Sequence, residues 1–400
     1  MANNILTIDM ITRKALEILE NSLVLTRNVN RQYDDSFAVQ GAKIGTTLRI
    51  RLPDRALVTD GAALQVQDDN EQFTTLTVAS QKHIGVNFTT AEMTMQLDDF
   101  AERVLKPRIS QLAASIDADV ANSFQGIFQS VGTPGTTPST TSVLLAANQK
   151  LNEAAAVMSP RYVTVNPAAN AALIEGMKGL FNPVSTISSQ FKNGMFGEGI
   201  LGFNELNMSQ SIKQFTTGTR TGSHTVTTTV STQGATSIAI TGTGTQTIKK
   251  GDVFTVADCY AVNPQTREST GSLQQFVATA DATAVAGAYT VNVSPAIYTS
   301  SHALATVDSF PVAGKAVTFL GSASTQYPQN LVYHRDAIAF ATADLLMPQG
   351  VDMASRQVHN GISMRVVRQY DINNDRMPCR IDVLYGYNTI RPSGAVRLWG

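Results

Sequence analysis

The chain has 400 residues, 30 Lys and Arg against 31 Asp and Glu, a formal net charge of −1 and only 15% charged residues, against roughly 25% in typical globular proteins. That balance excludes a protein that holds nucleic acid through a basic face, and two cysteines with no CxxC spacing exclude a thiolate zinc site or redox pair. With 43% apolar residues the chain can bury a core, its length allows two or three domains, and its low charge points to surfaces that are inert or covered by other subunits.

The N-terminal stretch has no basic head followed by an apolar run, so no signal peptide is expected. No segment approaches the ~20 apolar residues of a membrane span. Cys259 and Cys379 are expected to be buried free thiols rather than a disulfide.

Asp9 to Leu23 predicts an amphipathic helix with Ile11, Ala15, Ile18 and Leu19 on one face. Such a helix needs a surface to lie on, and a neighbouring chain is one candidate. Next, Leu48, Ile50 and Leu52 alternate with Arg49 and Arg51, the pattern of a strand with one apolar and one basic face. Pro53 stops it, Asp60-Gly61 marks a turn, and returning arms run through Leu64 and Val66 and from Thr74 to Val78. A two-stranded excursion this poor in large apolar residues is marginal alone. Arg49, Arg51 and Arg55 therefore read either as a solvated strand face or as a face that pairs across a subunit boundary, where arginine is favoured, and the missing core of the hairpin favours the second, with Asp60 at the turn.

Residues 96–130 keep a 3–4 apolar spacing through Leu97, Phe100, Val104, Ile109, Leu112, Ile116, Val120, Phe124 and Ile127. The reading is one long spine helix, kinked at Pro107 or restarted with Pro107 in its first turn. Helices at Val143–Met158 and Ala168–Met177 flank a strand, Arg161 to Pro167, giving an α/β layer. From Phe215 short strands with Gly-Thr turns follow one another at 8–12-residue spacing, the signature of a small barrel or sandwich. They include Asp252–Val256, Tyr260–Val262 and a turn at Asn263-Pro264. After Asn330 comes a strand-like start, then a helix-like run to Pro348. Two long strands follow around Asn373–Asp375, the second with Ile381, Val383 and Tyr385 on one side. The β module thus interrupts a body that resumes near residue 330.

No pattern for catalysis, cofactor or metal stands out. Gly197 to Gly202 spells GxGxxG, but its flanks supply neither the strand before nor the helix after that a dinucleotide site requires. No nucleophile elbow, P-loop, HExxH or EF-hand pattern is present, and the five histidines stand apart. His334 and Asp336 read as structural rather than catalytic, for want of a nucleophile.

Four strings resemble the major capsid proteins of tailed bacteriophages, and among them the P-twenty-two-like coat proteins: Leu97–Pro107, Lys249–Phe276, Tyr333–Leu345 and Arg368–Pro392. The resemblance implies an α+β chain of the HK-ninety-seven-type capsid fold with an inserted all-β, barrel-like domain. It implies an N-terminal arm (1–40), an extended loop with return strands (41–90), a spine helix (91–130), an axial domain in two parts (131–215 and 331–360), the insertion (216–330) and C-terminal peripheral strands (361–400). It implies a non-enzymatic protein without cofactor, assembling with itself into hexamers and pentamers of an icosahedral shell in the host cytoplasm. The partners so implied are scaffolding protein, portal and, non-specifically, packaged double-stranded DNA, with no membrane. No Lys–Asn cross-linking motif is matched. A phage tail or receptor-binding protein is the alternative that Thr/Gly-rich strands suggest.

Overall fold

In the computed structural model the described residues are 8–31, 47–59, 61–62, 66, 71–88, 106–176, 198–374 and 376–400. The expectations at Asp60, at Leu64 and over 91–105 fall outside them. In chain order the elements are α1 (Ile8–Ser22), α2 (Leu25–Asn28), β1 (Thr47–Arg51), β2 (Phe73–Thr77), β3 (Ser80–Phe88), α3 (Lys106–Ala121), β4 (Ser130–Val131), α4 (Thr141–Glu153), β5 (Arg161–Val165) and α5 (Pro167–Gly176). Then come β6 (Glu198–Ile200), β7 (Phe203–Met208), β8 (Gln214–Thr216), β9 (His224–Val226), β10 (Ala235–Thr241), β11 (Thr247–Ile248), β12 (Val253–Val262), β13 (Ser269–Ala278), β14 (Ala282–Thr283), β15 (Ala288–Ile297) and β16 (Ala316–Phe319). The chain closes with β17 (Gln326–His334), β18 (Ile338–Ala343), β19 (Met353–His359), β20 (Ile362–Arg368), β21 (Met377–Thr389) and β22 (Ala395–Trp399). They fall into two compact units, one of residues 1–50, 75–120 and 338–388 and one of 51–74, 121–337 and 389–400.

In the first unit β18, β21, β20 and β19 form a sheet that β3 joins on β21. Helix α1 packs on β19 and β20. Ala15, Leu16 and Leu19 are fully or almost fully buried and Ile18 is half-buried. The surface that this helix needs is thus supplied by its own chain. The carboxylate of Asp117 on α3 holds the next segment, accepting from the backbone N–H groups of Val24 (2.7 Å), Leu25 (3.3 Å) and Thr26 (2.9 Å) and from the Thr26 hydroxyl (2.5 Å). Asn30 then lies along β18, bonded to Ile338 and Phe340.

Pro107 is the second residue of the described α3, and the residues that would tell a kink from a restart there lie outside those described. Ile109, Leu112, Ala113, Ile116 and Val120 form its buried face. The helical reading through residue 130 is corrected. The α-helix stops at Ala121 and a 3₁₀ turn follows over Asn122–Gly126. There the Thr389 hydroxyl takes the Ser123 carbonyl (2.8 Å), and Ile127 closes a tighter turn on Phe124.

In the second unit β4, β22, β17, β5, β7 and β6 form a sheet with β8 added on β17. Leu144, Ala147 and Leu151 of α4 and Ala169 and Leu173 of α5 pack on its Val163, Val165, Val332, Val396 and Leu398. Helix α4 ends at Glu153, short of the expected Met158. Ala155 turns to φ 53°, and the buried Arg161 side chain donates to the carbonyls of Ala156 (2.8 Å) and Val157 (2.9 Å), satisfying groups that another helical turn would use. From Glu198 on, the GxGxxG string is part of a hairpin: β6 and β7 are joined through Leu201 at φ 55° and Gly202 at φ 82°, and a strand rather than a helix follows.

Strands β10, β15, β13, β12, β16 and β9 close a barrel around Ile238, Phe254, Phe276, Val291 and Val317. Two of the expected strands are one, β12, which bends at Asp258 (φ 61°) where its register with β13 shifts. The helix-like run after Asn330 is corrected to strand: β18 is buried along nearly its whole length, so its sequence shows no alternation. The C-terminal strands stand as expected, with Ile381, Val383 and Tyr385 buried.

Both cysteines are buried and free. Burial raises Cys259 to about 12 and Cys379 to about 11. A thiol raised on folding stabilises the fold while it stays protonated in both states. That contribution is complete below the ordinary value of 9.0 and is lost as pH rises towards 11 and 12. Native protein at pH 8 is therefore expected to give no colour with a disulfide reagent until denaturant is added, and its unfolding midpoint should fall steadily above pH 9. Stoichiometric labelling of the native chain at pH 8 would contradict this.

Candidate functional site: the root of the barrel and the assembly segments

The barrel joins the second unit through a neck. β8 and β17 run antiparallel, Gln326 opposite Thr216 and Tyr327 opposite Phe215. Thr217 extends the pairing to Thr325, and Gly218 accepts from Ser324. At Gly218 an added Cβ would lie 2.1 Å from the Thr247 carbonyl oxygen, so only glycine allows this approach.

Just inside the neck lies a buried polar cluster. The Asp252 carboxylate accepts from the N–H groups of Gly218 (3.1 Å) and Lys249 (2.8 Å) and sits 3.4 Å from the Arg220 guanidinium, with both side chains almost wholly buried. Arg220 lies over Phe319, and Arg397 of β22 reaches the same place from the C-terminus. Arg397 donates to the Gly251 carbonyl (2.6 Å) and Gln329 (2.8 Å), between the rings of Phe124, Phe215 and Trp399. Gly251, at φ 100°, leaves room for those rings: a Cβ there would meet Phe215 at 3.3 Å. Gln275 of β13 adds a second tie, exchanging two hydrogen bonds with the backbone of Ser130 on β4.

Desolvation dominates the electrostatics. It lowers Arg220, and lowers Arg397 to about 9, although Asp252 opposes both shifts. It also lifts Asp252 above the ordinary carboxylate value, against the pull of Arg220, the two N–H groups and Arg397. A carboxyl raised in this way favours folding only at acid pH, and the advantage is lost as pH rises. At neutral pH the buried ions are thus a cost that their mutual attraction offsets.

Of the predicted interface residues, Ile11, Ile18 and Leu19 fall on α1, Arg49 and Arg51 on β1 and Arg55 in the loop beyond, while Asp60 lies outside the described residues. On α1, Leu19 is buried in its own chain and Ile18 keeps a part-exposed edge, while the side chain of Ile11 lies outside those described. On β1, Arg49 and Arg51 share the exposed face, Ile50 is buried on the other, and Arg51 pairs with Glu71 at 3.3 Å in the open. Arg55, in the loop beyond, is half-buried. Sequence reasoning missed Asp252 and Arg397 as partners, since nothing in their spacing marks them.

The family model of the P22 coat protein, gene protein 5, matches residues 1–400. The chain belongs to the P22 coat protein family. No curated protein matches it. Among solved structures it is similar to a Mycobacterium phage Che8 structure at 12% identity, covering 94% of this chain and 90% of that one, with a TM-score of 0.49. It is also similar to the capsid of Ralstonia phage GP4 (9% identity, 90% and 85% covered, TM-score 0.45) and to the capsid of the cyanophage P-SCSP1u (10%, 91% and 86%, 0.42). This coat protein is a phage major capsid protein, a structural component of the virion that assembles with its own copies into a shell. Nothing in the comparisons favours the tail or receptor-binding role. Among the described residues no helix is long and apolar enough to cross a membrane, and no group of three or more His, Cys, Asp or Glu side chains could hold a metal ion.

Proposed function

We propose that this coat protein forms hexamers and pentamers of an icosahedral shell around the double-stranded DNA of a tailed phage, in the HK-ninety-seven-type arrangement and with the domain boundaries given above. The observation that carries the reading is the family match along the whole chain. The hairpin supports it: among the described residues β1 and β2 pair in a two-stranded sheet of their own, and Val58 and Val66 between them are 83% and 84% exposed. An arm with so little core of its own gains stability by lying on neighbours.

Assembly is a matter of geometry and weak contacts. A contact of about −4 kcal/mol corresponds only to millimolar affinity, yet several per subunit make a shell, because later contacts form within an already bound complex. Weak contacts let misplaced subunits leave. Of the proposed interface residues, Arg49 and Arg51 are exposed in the protomer and Ile18 and Arg55 half-buried. The Arg51–Glu71 pair, being solvated, is weak enough to exchange for a partner's carboxylate. Near-neutral charge suits a container that touches DNA without gripping it. Scaffolding protein, portal and assembly in the host cytoplasm complete the proposal.

Electron microscopy of the purified protein at micromolar concentration should show shells; spikes or compact oligomers would overturn the reading. Arg49→Glu with Arg51→Glu should leave the melting temperature unchanged and cut shell yield by roughly tenfold or more, as expected when each subunit's hold on its neighbours weakens by about 1.4 kcal/mol. A second expectation concerns the barrel. Residues 214–328 expressed alone should show β-sheet circular dichroism and a cooperative melt, since a domain of this size supports its own core; a disordered spectrum would count against treating it as a separate domain.

A further inference from the structure

The second unit has a groove of about 500 Å³ at the root of the hairpin, where Leu52 and Pro53 just beyond β1 form one wall. Leu304 of the barrel and Ile390 and Pro392 near the C-terminus form others. Such a volume is that of a formed binding site rather than a packing fault, since ligand sites run to ~300–1,000 Å³. Its charged lining is Arg55 and Arg391, and no Asp or Glu lines it among the described residues. Neither guanidinium has a hydrogen bond or ion pair among the described residues. His334 lines it too, but both ring nitrogens are engaged within the chain, by the Ser159 carbonyl and the Asp336 N–H. The groove is therefore apolar and positive.

The complementary surface is carried by the chain itself. From Ala56 to Gln72 the sequence has Asp60, Asp68, Asp69 and Glu71 and no Lys, Arg or His. In that loop Val58 and Val66 are 83% and 84% exposed, so the protomer's own groove does not cover them. Exposed valines gain by leaving water, and the four carboxylates are opposite in sign to the groove. Loop and groove are different surfaces of one chain, so a contact between copies is head-to-tail, and its repetition closes a ring; a contact between two like surfaces would stop at a dimer.

We propose that the groove receives the acidic loop, residues 56–72, of a second copy, with valine in its apolar part and carboxylates on Arg55 and Arg391. The inference rests on the self-assembly proposed above and names the surface that receives the loop. The test uses full-length protein at pH 8, where the native thiols are buried and protonated, so introduced ones report alone. Gln265 lines the groove and is exposed. A soluble maleimide should label Gln265→Cys readily in unassembled protein and roughly tenfold more slowly in shells, where the loop covers it. Combined in one chain with Val58→Cys or Val66→Cys, it should oxidise in shells to a ladder of linked chains, which requires Cα atoms within about 7 Å. Arg55→Glu with Arg391→Glu should cut shell yield by roughly tenfold, and adding Asp68→Lys with Asp69→Lys should restore most of it, because exchanged charges attract again. Equal labelling in shells, a link confined within one chain, or protection without any link to the loop, which would mean that another segment fills the groove, would overturn the inference while shell assembly stands. A wild-type chain that forms no shells would overturn both. If the cysteine variants do not assemble, the charge exchange decides, and failure of the lysines to rescue would overturn the inference.

Discussion

Asp252→Ala is expected to destabilise the coat protein by about 3–5 kcal/mol, the cost of leaving buried charge without its counter-ion. Two arginines then share the cluster with no carboxylate, and the N–H groups of Gly218 and Lys249 lose their acceptor at the point where the chain enters the barrel. Asp252→Asn keeps an acceptor and a similar shape but not the charge, and should cost clearly less. Urea unfolding monitored by Trp399 fluorescence measures both, since that ring sits on Arg397 at 4.9 Å. A loss below about 1 kcal/mol for the alanine variant, the range of exposed pairs, would mean that water enters and solvates the arginines. A further variant, Asp252→Leu with Arg220→Met, should recover much of the loss, because burying an apolar pair avoids the desolvation that raises Asp252.

The second large effect is expected at Asp117. Its carboxylate takes three backbone N–H groups and a hydroxyl from residues 24–26, in a site where it is 2% exposed. Alanine there leaves those donors unmatched, at about 1–3 kcal/mol for each one that water does not reach, so a total near 3 kcal/mol is expected. The sharper readout is hydrogen exchange in dilute, unassembled protein. Amides from Leu16 to Asn28 should be protected in the wild type and exchange at least a hundredfold faster in the variant. Free exchange of that stretch in the wild-type protomer, with protection appearing only in shells, would show that neighbours rather than Asp117 hold the segment.

These two carboxylates also mark the limit of what was legible in the sequence. Element types were readable wherever the periodicity was local and one-sided. The buried face of α1 is visible in a short window because its other face meets water, and the alternation around Ile381, Val383 and Tyr385 is visible because the charged Asp382 interrupts it, although Asp382 is itself buried against Arg365 and Arg380. Reading failed where that contrast disappears. Ile338–Ala343 is buried on both faces and so looks like any apolar run. The helix stop at Ala121 is set in part by the hydroxyl of Thr389, from a distant part of the chain. Arg220, Asp252 and Arg397 come from a neck, a barrel strand and the last strand, and no spacing rule brings such residues together.

By itself, then, the sequence determined the class of protein: near-neutral charge, an α/β body interrupted by a β module, an exposed hairpin with a basic face, and strings diagnostic of a coat protein. Only the tertiary structure decided which surface covers each apolar face. The pattern on α1 demands burial but does not say against what, and β19 and β20 of the same chain supply it. The physical reason is that hydrophobic burial is non-directional: a sequence specifies that a face must leave water, while the partner is chosen by packing and by directional bonds such as those of Asp117 and Asp252, which exist only once the chain has folded.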